Sequence, residues 1–166
     1  VRPLTIQQDN AYFKIADPLK GTAMWTAVHD ANVANGTLRV IPGSHRESLT
    51  HSRDPQSDHH IRCYPDESRA VALELPAGGV AFFAYGVAHA TGGNATDRDR
   101  AGAAYHFLNA EMIPPGYFNP HDPMKHPTLT GPEASDGTLE YGVRIAGTWD
   151  EEVGRVRQGT EAANPQ

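Results

Sequence analysis

Two short segments carry the residue types from which a reactive site could be built: the run His89-Ala-Thr91-Gly-Gly-Asn94-Ala-Thr-Asp-Arg-Asp-Arg100 and, far upstream, Gln7-Gln8-Asp9. An imidazole nitrogen and a carboxylate oxygen are suitable donors for a divalent first-row metal. A guanidinium can grip a carboxylate through two parallel N–H bonds, and its charge does not titrate near neutrality. Asp9, His89 and Arg100 together therefore suggest a metal-ligand pair and an anchor for a dicarboxylate. The full facial set of two histidines and one carboxylate leaves metal positions open for other ligands; here the second histidine is missing. The alternative for Arg100 is a surface side chain bonded to Asp97 or Asp99.

The elements that must position these residues read as strands. Met24 to Val28, Thr37 to Ile41, Val71 to Leu75, Val80 to Tyr85 and Ala101 to Leu108 are rich in β-branched, aromatic and small apolar residues and are bounded by Gly, Pro, Asn or Asp. No comparable window has helical periodicity, so the fold class is mainly β, a sandwich, jelly roll or barrel. Asp9 follows Leu4-Thr5-Ile6, as a carboxylate at a strand end would, and His89 opens the segment after Val80 to Tyr85. If alternation holds, Thr91 presents its hydroxyl on the His89 side, and Arg100 lies on the next strand. Asn35-Gly36 predicts a type I′ turn closing a hairpin. Residues 43–69 read as a long polar loop, of the kind that is functional or disordered. From Pro114 onward Pro, Gly and Asn prevail, and residues 151–166 read as a partly ordered tail. The expected division is a core at 1–113 and an extension at 114–166.

Composition narrows the function further. A net formal charge of −6, with no cluster of Lys or Arg, argues against a nucleic-acid partner. The single cysteine, Cys63, rules out an intrachain disulfide framework and a cysteine-rich zinc site, and predicts a cytoplasmic protein. No apolar stretch is long enough for a membrane helix. The chain opens on Val1 with the Asp9 segment close behind, as a fragment would. The sequence is silent on oligomeric state.

The order Gln7-Gln8-Asp9-Asn10-Ala11-Tyr12-Phe13, then Met24-Trp25-Thr26-Ala27, then Asn35-Gly36-Thr37-Leu38 through Pro42-Gly43-Ser44-His45, then the His89 to Arg100 run, resembles the phytanoyl-CoA dioxygenase family over about residues 4–111. That family belongs to the Fe(II)- and 2-oxoglutarate-dependent oxygenases, whose core is a double-stranded β-helix, or jelly roll, of cupin-like form. The resemblance implies Asp9 and His89 as metal ligands, with Gln7 in the position of the family's first histidine ligand. It implies Arg100 as partner of the distal carboxylate of 2-oxoglutarate, Thr91 and Trp25 as further cosubstrate-pocket residues, and Gln8 and Asn94 in supporting roles. An amide oxygen is a poorer donor to Fe(II) than imidazole nitrogen. Relative to the family pattern, an N-terminal helical region and first core strand precede the metal segment and are absent here; such a fold has an open sheet edge and exposed apolar surface.

The activity so implied is hydroxylation of an aliphatic carbon of a small molecule by dioxygen, with succinate and CO2 as co-products and Fe(II) and 2-oxoglutarate as cofactors. The alternative is a family member impaired by Gln7 that binds a small molecule without turnover; a carbohydrate-binding jelly roll is a third possibility. His45 in a Pro-Gly-Ser-His turn and His29 beside Asp30 read as structural, and His59-His60 beside Asp58 as part of a solvated substrate loop rather than a metal pair. His106 is a candidate neighbour of the cosubstrate site. The loop from Glu47 to Arg69, expected to shape substrate choice, has no readable signature.

Overall fold

The computed structural model describes residues 4–55, 57, 60–116, 129–131, 139–140 and 143–144. The chain divides into two compact units, Val1–Tyr117 and Phe118–Gln166. In the second, β9 (Leu139–Glu140) and β10 (Val143–Arg144) form an antiparallel pair. Residues 151–166, read from sequence as a tail, lie outside the described residues, as does His59.

The first unit is mainly β, a double-stranded β-helix built on two three-stranded antiparallel sheets. In one, β1 (Gly21–Ala27) is flanked by β6 (Val80–Ala84) and β8 (Gly102–Leu108). In the other, β2 (Leu38–Val40) is flanked by β5 (Val71–Ala72) and β7 (His89–Thr91). The period-two rule sorts the side chains: along β1, residues 21, 23, 25 and 27 are buried and those between are half-buried. Trp25, Ala27, Phe83 and Ala81 from the first sheet pack on Leu38 and Val40 of the second, and this cluster joins the two sheets. Burying each large apolar side chain there contributes roughly 1.5–3 kcal/mol. The opposite face of the second sheet packs Ile41, Ala88 and Ala90 against Ile6 and Cys63. A single strand, β7, thus sends Ala90 into one core and His89 toward the other.

The expected strands form, with shifted ends. Leu73 and Leu75 lie beyond β5, although Leu75 still bridges to Ala31. The Asn35-Gly36 expectation is corrected. β1 and β2 belong to different sheets, so the turn closes no hairpin, and Gly36 has a positive φ of 82° while Asn35 does not. The segment crosses between sheets instead. Asn32 and Asn35 hold it by exchanging side-chain-to-backbone bonds of 2.8 and 3.1 Å. Gly36 is required there because a Cβ would collide with the Gly92 backbone.

Residues 43–69 are also more ordered than a plain loop. They contain 3-10 turns at Ser44–Arg46 and Glu67–Arg69 and a small hairpin of β3 (Ser52–Arg53) and β4 (Ile61–Arg62). Buried Asp54 anchors them, accepting from Thr5 Oγ1 at 3.0 Å and pairing with Arg62 at 3.9 Å. Elsewhere apolar surface is open: on the outer face of the first sheet, Phe82 and Tyr105 flank Met24 and are both exposed. Among the described residues no helix is long and apolar enough to cross a membrane.

Candidate functional site

Asp9 and His89, eighty residues apart, are brought together by one backbone pairing. Gln7 and His89 form an antiparallel bridge, with Gln7 N–H to His89 O at 3.0 Å and His89 N–H to Gln7 O at 2.9 Å. Asp9 then starts the short helix α1 (Asn10–Phe13) as its N-cap residue, yet its side chain makes no capping bond. A capping carboxylate ordinarily accepts an N–H of the first turn. Here it is turned to His89, with Oδ1 3.5 Å from Nε2.

The histidine is preset to act as a donor atom. Its Nδ1 lies 2.9 Å from Val87 O, a group that can only accept, so Nδ1 carries a hydrogen and Nε2 is the ring nitrogen directed at Asp9. A backbone carbonyl on the other ring nitrogen is the usual support of a metal-binding imidazole. The Phe83 ring, 4.6 Å away between centroids, walls the imidazole on the side of the first sheet.

Asp9 is buried, and its Oδ2 has no hydrogen-bond partner. Burial is the main influence on this carboxyl and lifts its pKa above the ordinary value; His89, then His106, pull it back down. The Asp9 carboxylate and His89 Nε2 face each other across 3.5 Å, an oxygen and a nitrogen of the kinds that first-row divalent metals take. That donor set fits a divalent cation.

Gln7, the third expected ligand, is otherwise engaged. Its Oε1 accepts from the Tyr12 hydroxyl at 3.0 Å, and that hydroxyl accepts Ile61 N–H at 2.9 Å. Among the described residues no three His, Cys, Asp or Glu side chains stand in metal-holding arrangement. Gln8, alternating to the other face, is a strut. Its buried amide donates to Gly86 O at 2.6 Å, Glu47 O at 3.0 Å and Ser44 O at 3.3 Å, while its backbone N–H donates to His51 Nε2 at 3.0 Å. Beyond it lies an open cavity of about 330 Å³ lined in part by Asn10, Pro18, His45 and His51. Asp9 and His89 are not among its lining residues.

Of the residues expected to line a cosubstrate pocket, Thr91 and Arg100 lie on the second sheet and its turns and Trp25 on β1 of the first. Thr91 shares the His89 face of β7 and is exposed, roughly 7 Å farther along the strand by the usual rise. Arg100 is not on a strand, contrary to expectation; it precedes β8. Its Nε and Nη2 donate to the Asn35 and Gly36 carbonyls at 3.3 and 2.9 Å rather than to Asp97 or Asp99. Since Gly92 also packs on Gly36, Thr91 and Arg100 border the same turn. Trp25 is buried in the core between the sheets, its indole against Gly102.

Asn94 closes its own exposed turn, donating to Arg98 O at 2.7 Å and accepting from Thr96. His29 accepts Ala101 N–H at 3.2 Å, and His45 lies against Gly86. The sequence reading missed Tyr12 and Phe83. The only signal for either was position: Tyr12 on the first turn after the Gln-Gln-Asp segment, and Phe83 at an inward alternation point.

Residues 2–102 match the family model described as Phytanoyl-CoA dioxygenase (PhyH). The phytanoyl-CoA dioxygenase domain-containing protein 1 homolog of Dictyostelium discoideum is 31% identical over 115 residues, covering 64% of this chain and 41% of that protein. The human peroxisomal phytanoyl-CoA dioxygenase is 29% identical over 113 residues, covering 64% and 33%. The chain thus spans less than half the length of these relatives. Among solved structures, EvdO2 from Micromonospora carbonacea var. aurantiaca, complexed with 2-oxoglutarate, aligns with a TM-score of 0.54 at 29% identity, over 68% of this chain and 50% of that one. The cytoplasmic expectation is corrected by these findings: the human, bovine and mouse relatives are peroxisomal by name. A lone buried cysteine excludes a disulfide but carries no address.

Proposed function

Because the chain belongs to the phytanoyl-CoA dioxygenase family, we propose that it is a member with an impaired metal site, a small-molecule-binding jelly roll that holds a divalent cation and a dicarboxylate but turns over weakly or not at all. The observation that carries this reading is the engagement of Gln7 Oε1 by Tyr12, which removes the one donor available where the family has a histidine. Residues 1–113 are the partial oxygenase core in this proposal, and 114–166 an extension.

Asp9 and His89 would hold the cation, with Gln7 contributing little. Supplied with dioxygen and 2-oxoglutarate, Fe(II) provides the family chemistry: decarboxylation to succinate and CO2 coupled to hydroxylation of an aliphatic carbon. The chain's own part is positional. Val87 O fixes the His89 tautomer, Phe83 walls off water on one side of the imidazole, and Arg100 with Thr91 offers N–H and O–H donors to the far carboxylate of 2-oxoglutarate. Arg100 has spent two of its five N–H groups on backbone carbonyls, so three remain for a ligand. The second reading, an active dioxygenase, is favoured by the buried, unpartnered Asp9 Oδ2 opposite a preset imidazole.

The test is twofold: calorimetry of 2-oxoglutarate binding in the presence of Mn(II), and succinate formation with Fe(II), for the chain and for Gln7→His. Binding that is lost in Arg100→Ala, with succinate formed only by Gln7→His, is the expected result. Equal succinate from both chains establishes the active reading. Absence of 2-oxoglutarate binding in every variant overturns the proposal.

A further inference from the structure

We infer that the cavity beyond Gln8 is a binding site for a small organic oxyanion, a carboxylate or a phosphate ester, separate from the Asp9 and His89 pair. The cavity holds about 330 Å³, at the small end of the roughly 300–1,000 Å³ usual for ligand sites. Much of its wall is preformed, because the polar groups there are already satisfied within the chain. The Gln8 amide donates to three carbonyls, and its Oε1 accepts Leu49 N–H at 3.4 Å. The His51 ring is clamped at both nitrogens. Its Nε2 accepts Gln8 N–H at 3.0 Å, so Nδ1 carries the hydrogen given to Leu49 O at 2.9 Å. Asn10 is turned to Ile15, with which it exchanges bonds of 3.0 and 3.2 Å. These residues offer a ligand shape rather than hydrogen bonds.

The lining groups left free are donors, and they come from one short stretch. Among the described residues no hydrogen bond or ion pair engages the side chains of His45, Arg46 or Ser48, all of which line the cavity. An imidazole, a guanidinium and a hydroxyl can each donate. The stretch begins in the 3-10 turn Ser44–Arg46, which is seated from behind. There the buried Ser44 hydroxyl donates to Ile41 O at 2.7 Å and accepts Ala88 N–H at 2.8 Å. The lining carboxylate, Glu47, is neutralised by Arg69 at 3.0 Å, and burial holds the His51 pKa below its ordinary 6.5. The unopposed charge at the cavity is therefore the positive one of Arg46, in a chain whose net formal charge is −6. A guanidinium is the side chain that grips a carboxylate or a phosphate through two parallel N–H bonds. Ala11, Pro18 and Leu49 give apolar surface for the body of such a ligand.

The probes are phenyl phosphate and benzoate, with benzyl alcohol as the uncharged counterpart. Each is titrated into the isotope-labelled chain and followed by NMR at low ionic strength, since salt screens exposed charge. Saturable shifts of the Ala11, Leu49 and Gly86 amides are expected with one or both anions and not with benzyl alcohol. The tighter of the two anions tells a phosphate ester from a carboxylate. Arg46→Ala, a change at an exposed residue that leaves the fold intact, is expected to weaken binding by about 5 to 10-fold, between the worth of an exposed ion pair and that of a charge-assisted hydrogen bond. Arg100→Ala and Asp9→Asn leave it unchanged. No saturable shift with either anion, equal binding of benzyl alcohol, or undiminished binding in Arg46→Ala overturns the inference. Shifts centred on Gly36 and lost in Arg100→Ala overturn it too, since the anion then sits at the Asn35-Gly36 turn.

Discussion

Replacing Asp9 by Asn should stabilise the metal-free protein while removing its affinity for a cation. Asp9 is 4% exposed, its Oδ2 lacks a partner, and its Oδ1 lies 3.5 Å from His89 Nε2. An unsatisfied buried polar atom costs about 1–3 kcal/mol. Asn has the same shape, places an N–H donor opposite Nε2, and is as good an N-cap residue as Asp, so nothing is lost at the start of α1. The expected gain is about 1–2 kcal/mol, which at about 4 °C per kcal/mol for a domain of this size is a rise in Tm of roughly 4–8 °C. Thermal melts at pH 7.5 in a chelator, repeated with Co(II), measure both halves. The pH dependence has a definite sign. Burial raises the folded-state pKa of Asp9 above the ordinary 3.8, so the folded chain binds that proton more tightly than the unfolded one. Stability contributed by this group therefore falls as pH rises from the ordinary value through the raised one, and the slope vanishes in Asp9→Asn. A lower Tm for the Asn variant, or an equal Co(II)-induced shift in both proteins, refutes the reasoning.

Gly102→Ala should destabilise by about 1–3 kcal/mol, the usual cost of forcing volume into a packed core. The new Cβ would lie 2.6 Å from Trp25 Cζ2; red-shifted tryptophan fluorescence would show the indole displaced, and unchanged stability in urea would contradict the packing described. Gln8→Ala should cost about 1–3 kcal/mol because it leaves the buried Gly86 carbonyl without its donor, while Ser44 O keeps the Glu47 N–H. Hydrogen exchange in residues 44–49 should rise with it, and equal exchange would show that the strut is not needed.

The sequence made the architecture legible because alternation and turn residues report directly on a two-sided sheet. Trp25, Leu38 and Phe83 fall where period two puts them. Strand pairing was less legible. Asn35-Gly36 has the composition of a hairpin turn, but β2, the strand after it, joins the other sheet, and only the long-range pairing of β1 with β6 and β8 decides that. At the site, the motif identified Asp9, His89 and Arg100 as residues worth bringing together, and the bridge between Gln7 and His89 unites the first two. The partner of Gln7 was not legible. Its tie to Tyr12 and Ile61 depends on how residues 43–69 fold back over α1, and that stretch has no periodicity to read.

The clasp on Arg100 differs in kind from the one on Gln7, and the difference bears on how each position can drift. Arg100 is held by the carbonyls of Asn35 and Gly36, groups that every amino acid possesses, so substitutions at residue 35 leave the guanidinium's seat intact. Gln7 is held side chain to side chain. Position 7 can change partner or identity in a single step, provided the hydroxyl at position 12 finds another acceptor. A lineage carrying this arrangement can therefore lose or regain a histidine at residue 7 without disturbing the end of the pocket that would recognise the dicarboxylate, so ancestral reconstruction should find residues 7 and 12 changing together while Arg100 stays.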